Sequence, residues 1–184
     1  MQNTEVRIRS RTSSDEPWFT RPETIRVDFS CFAELVQAVR RVTPYPIIWI
    51  GIDGGFSDPL SLEPAVFDQQ IPFLQVIQTR GVPAMFLGVQ CCMPLGGVFR
   101  ASIQAHICTV RLDACEAEFW TFDELLRAVI AHTGVRPDSI RIDGYPTTLI
   151  TALTFEQCMP LLNKAQWLLG RIPIVVHCSA GRRI

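Results

Sequence analysis

Four aspartates stand at the ends of short apolar runs: Asp28 after Ile25-Arg-Val, Asp53 after Ile47–Ile52, Asp113 after Val110-Arg-Leu and Asp143 after Ile140-Arg-Ile. Two further runs end in thiols, at Gln90-Cys91-Cys92 and at His177-Cys178-Ser179. Ligands in open α/β sheets gather beyond the carboxyl ends of the strands. Carboxylates paired there could hold Mg²⁺ or accept a phosphoryl group, and a thiolate could attack an electrophile. Asp-Gly, which recurs at 53–54 and 143–144, also makes a tight turn unaided. Asp bonds its own backbone and Gly accepts a positive φ. The turn reading takes precedence over the site reading.

The sharpest chemical string is Ile172-Pro-Ile-Val-Val-His-Cys-Ser-Ala-Gly181. It resembles the start of the protein tyrosine phosphatase signature, in which His-Cys-Ser-Ala-Gly follows a buried strand and opens a phosphate-cradling loop. The resemblance implies a Cys178 thiolate attacking phosphorus, with an Arg six residues later clamping the phosphate oxygens. That position here is Ile184, and Arg182 and Arg183 fall two and one places short of it. No Trp-Pro-Asp segment supplies a general acid. On these departures Cys178 reads as a buried thiol at a strand end.

No glycine-rich phosphate loop, zinc-spaced Cys/His set or GxSxG elbow is present. His106, His132 and His177 are scattered, and Trp18, Trp49, Trp120 and Trp167 read as core anchors. Phe119 and Trp120 precede a capping box and could form a staple or a binding edge. A net charge of −1 builds no overall field toward nucleic acid or an acidic membrane. No apolar run reaches the roughly 20 residues that span a bilayer. The N-terminus lacks the apolar stretch of a signal peptide. Seven cysteines with no CxxC pair suit a reducing, cytoplasmic setting.

These groups hang on a simple alternation of elements. Strands are expected at 24–29, 47–52, 84–89, 139–143 and 172–177, with a long bent strand over 98–113 and an edge strand at 5–9. Helices are expected at Cys31–Val42 with Ser30 as N-cap, at 64–79 ended by Gly81 and Pro83, and after the capping boxes Thr121–Glu124 and Thr154–Gln157. The halves also echo each other. Phe67-Asp-Gln-Gln-Ile-Pro-Phe-Leu74 matches Phe155-Glu-Gln-Cys-Met-Pro-Leu-Leu162, and Phe32–Val39 matches Phe122–Val129. Ile25–Asp28 pairs with Val110–Asp113, Ile52–Gly54 with Ile142–Gly144, and Pro83–Phe86 with Pro173–Val176. The offset is nearly constant, at about 85–90 residues.

The expected fold is therefore α/β: tandem-duplicated βαβαβ units forming a mostly parallel, helix-covered sheet with pseudo-twofold symmetry. Residues 1–24 read as a polar tail, 25–97 as the first repeat, and 98–184 as the second with an extra leading strand. Pro72 and Pro160 are expected in the first helical turns, where proline costs least. The preferred function is a non-enzymatic interaction module whose partner is another protein or a second copy. The alternative is a small hydrolase or phosphoryl-transfer enzyme using Asp53, Asp143, His177 and Cys178. A nucleic-acid role through Arg7, Arg9 and Arg11 ranks third because the chain is near-neutral. No cofactor or metal is expected.

Overall fold

The computed structural model describes residues 1–12, 21–53, 59–80 and 86–179. The chain divides into two compact units, Met1–Met93 with Met159–Leu161 and Pro94–Cys158 with Leu162–Ile184. Among the described residues each is a mixed α/β unit with one sheet and two helices.

In the first unit, alternation makes the opening strand. Thr4, Val6 and Ile8 of β1 (Thr4–Arg11) are buried, while Glu5, Arg7 and Arg9 face the other way. β1 pairs antiparallel with β2 (Glu23–Val27), and α1 (Phe32–Arg40), β3 (Ile47–Asp53), α2 (Pro64–Thr79) and β4 (Phe86–Cys92) follow. The strand order is β2-β1-β4-β3, with β1 and β4 parallel at the centre and β3 antiparallel to β4. Phe32, Leu35, Val36 and Val39 of α1 and Phe67, Ile71 and Leu74 of α2 join one core with Val6, Ile8, Ile50, Leu87 and Val89. Both helices therefore lie on one face of the sheet. Each large side chain buried there contributes about 1.5–3 kcal/mol.

The second unit opens, after a short 3₁₀ turn at Leu95–Gly97, with β5 (Phe99–Ile107). β6 (Val110–Arg111), β7 (Cys115–Phe119), α3 (Phe122–Thr133), β8 (Ser139–Ile142), α4 (Phe155–Leu169) and β9 (Ile172–Cys178) complete it. β5 runs antiparallel to β6 and β7 and parallel to β9, and β8 runs antiparallel to β9. Buried Gln166 ties this unit together. Its carbonyl accepts the Arg100 N–H at 2.6 Å, and its amide donates to the Leu95 and Val98 carbonyls at 3.1 and 2.9 Å.

Several expectations change. The sheets are not mostly parallel: each contains a single parallel strand pair, because each unit begins with a hairpin that inserts its first strand beside its last. The segment read as a polar tail supplies β1, a central strand and not an edge, since the two apolar side chains Val6 and Ile8 are enough to seat it. Pro72 is the ninth residue of α2 and Pro160 the sixth of α4, both beyond the first turn. Cys31, not Ser30, is the N-cap of α1, and the Phe32 N–H is satisfied by the Asp68 carboxylate at 2.6 Å. The Thr121–Glu124 capping box is present with both its bonds. Thr154 caps nothing with its side chain, which donates instead to the Leu149 carbonyl at 2.6 Å. The turn after Asp53, the helix stop at Gly81 and Pro83, Trp18, Arg182 and Arg183 lie outside the described residues.

Candidate functional site

Strand alternation decides what the His-Cys string can do. His177 and Cys178 are consecutive in β9, so they project from opposite faces. His177 is exposed and lies beside His106 of β5, their rings stacked with centroids 5.2 Å apart. Cys178 is buried on the core side, opposite Ile107. Burial pushes its thiol up, a hydrogen bond from Thr133 partly offsets this, and the nearby Asp138 charge adds to the rise. Asp138 is held in place by Ser179, whose hydroxyl donates to its carboxylate. A protonated thiol in the core is a poor nucleophile.

Asp143 follows the end of β8, beside the opposite end of β9. Its N–H donates to the Pro173 carbonyl at 2.8 Å, whereas Cys178 lies five residues further along β9, about 17 Å away at the rise of a strand. The Asp143 carboxylate accepts the Gly144 N–H at 3.0 Å, and Gly144 has φ +83°, which is the Asp-Gly turn itself. Asp53 is the last residue of β3 in the first unit, with its Cα in register with Phe86. Asp28 accepts the Asn3 N–H. The thiol of Cys91 is in the first core and is pushed far up by burial, with Cys92 adding to the rise. The structure thus sets Asp143 and Cys178 apart and turns His177 away from Cys178. Among the described residues, no group of three or more His, Cys, Asp or Glu side chains is placed to hold a metal.

The first unit presents two surfaces, of which the sequence pointed only to the arginines of the second. The first is the outer side of α2, where Val66, Phe73 and Val76 are 37%, 62% and 46% exposed. The signal was available, because α2 has apolar residues around its whole circumference. The second is the sheet face away from the helices. Arg7, Arg9 and Arg11 line it at every second residue of β1, and Arg26 of β2 stands opposite Glu5. The Arg7 guanidinium lies 3.4 Å from the centroid of the Phe86 ring and also pairs with Glu5 at 2.8 Å. The Trp49 ring occupies the space that an added Cβ on Gly51 would need. The expected staple is a ring stack in the second unit: Trp120 sits on Phe99 at 5.4 Å, and Phe99 contacts Phe119 at 5.6 Å.

No disulfide links any of the seven cysteines, and among the described residues no helix is long and apolar enough to cross a membrane. No family model and no curated protein matches the chain.

Proposed function

We propose that this chain is a non-enzymatic protein-interaction module, built from two copies of one ββαβαβ unit, with a second copy of the chain as its partner. The outer face of α2 carries the reading. Large apolar side chains grouped on the outer side of a helix mark an interaction site. Phe67, Ile71 and Leu74 face the core, yet Val66, Phe73 and Val76 remain in water within a sector of about 80°. Asp68 is the helix's one charged residue, and it is engaged by the Phe32 N–H. A twofold pairing of α2 with its copy therefore brings no like charges together.

The duplication is supported by the five ordered sequence blocks and by the shared strand pairing of the two units. The enzyme alternative needs Asp143, His177 and Cys178 in one pocket. Their separation along β9 and their opposite faces weigh against it.

Sedimentation velocity over a concentration series tests the proposal. The wild type is expected to form a dimer as concentration rises, and Phe73→Glu is expected to stay monomeric with an unchanged melting temperature. A wild type that is monomeric throughout contradicts self-pairing.

A further inference from the structure

We infer that the face of the first sheet away from its helices is a platform for single-stranded nucleic acid, a function separate from the pairing proposed for α2 on the helix-covered side. The face is built in cross-strand rows. One row runs Arg9, Gln90, Trp49, and the next runs Arg7, Gly88, Gly51. Gly51 has no Cβ, and the Trp49 ring rests in the space that one would fill. Trp49 and Phe86 are both partly exposed there, and the Arg7 side chain is 39% exposed.

Bases stack on aromatic rings laid on a sheet, while arginines along the edge follow the phosphates. Successive arginines on one face of β1 are about 6.8 Å apart, and Arg26 extends the basic strip onto β2. Gln90 lies between the strip and the indole, where its amide can both donate to and accept from a base edge. Among the described residues Glu5 is an acidic member of this face, and it is bonded to Arg7. The near-zero net charge of the chain is a sum over all its faces. Charge is sorted here, with Asp28 and Glu34 lining a separate hollow with Ser30 and Gln78.

The basic strip and the stacking rings make distinguishable contributions, which sets the test. Fluorescence anisotropy of a short labelled oligouridylate and a matching oligodeoxythymidylate, titrated with full-length protein across a salt series, should give binding. The log–log salt slope should be about −2 to −3 for three or four phosphate contacts. Arg9→Gln and the exposed Arg26→Gln should each make that slope shallower by about 0.7. Trp49→Ala should weaken binding at least about fivefold while leaving the slope unchanged. Arg127→Gln, on α3, should change neither. Melting temperatures of all variants establish that they fold; if Trp49→Ala does not, the two arginine variants decide alone. Absence of binding overturns the inference. So does equal competition by poly-glutamate with no effect of Trp49→Ala, since that pattern is polyanion adhesion. Tighter binding of duplex than of single strand also overturns it, because a stacked duplex has no free base faces to offer.

Discussion

Phe32 and Phe67 meet in the core of the first unit with ring centroids 4.9 Å apart, each from the first turns of its helix. Phe122 and Phe155, the residues that match them in the sequence echo, meet in the second unit at 6.2 Å. In each unit these contacts fix how the two helices lie together on their sheet. Phe67→Ala and Phe155→Ala should each destabilise by about 3–5 kcal/mol, the usual cost of deleting a buried ring. Urea denaturation measures this. A loss below about 1 kcal/mol at either position would remove the ring from its assigned role.

The opening strand makes a second prediction, opposite to what a polar tail implies. Ile8 is buried on β1 between β2 and β4. Ile8→Ala should cost about 2–5 kcal/mol, and removal of residues 1–12 should abolish the cooperative thermal transition of the first unit. An unchanged melting temperature after truncation would show that β1 is dispensable.

Gly51 is constrained by contact and not by its backbone angle. Its missing Cβ is where the Trp49 ring rests. Gly51→Ala should lift the indole off the sheet, costing about 1–3 kcal/mol, and should change near-ultraviolet circular dichroism in the tryptophan region. A silent substitution would mean that the Trp49 ring does not rest on Gly51.

The buried thiols set an alkaline limit. Burial raises the Cys158 thiol from 9.0 to about 11, with a hydrogen bond from Thr154 opposing the rise, and raises Cys178 as well. The folded state therefore favours the protonated thiols. Their contribution to stability is complete below the unfolded value of 9.0 and is lost as pH rises through about 11. Urea midpoints should be flat from neutral pH to about 9 and fall above it. Cys158→Ala should reduce the fall. A decline that begins at neutral pH would contradict this assignment.

Much of the architecture is visible as periodicity. Pro64–Thr79 reads from its residues as the helix it is, and Thr121–Glu124 announces its own capping box. Strand partners are less legible, because a run such as Ile47–Asp53 records how apolar its neighbours are and not which way they run. β1 is hard to read for a related reason: its arginines mask the two inward side chains that seat it. The spacing of the candidate residues is a matter of register. Residues adjacent in sequence, such as His177 and Cys178, face opposite ways in a strand, and Asp143 and Cys178 end neighbouring strands that run antiparallel.

The central claim, that α2 is where one copy of the chain meets another, is tested most directly by placing a photoreactive benzoylphenylalanine at position 73. Irradiation should give a covalent dimer whose cross-links map to residues 64–79 of the second copy. The same group at position 127, on the exposed side of α3, should give little. Cross-links confined to one chain, or equal dimer yields from both positions, would contradict the account.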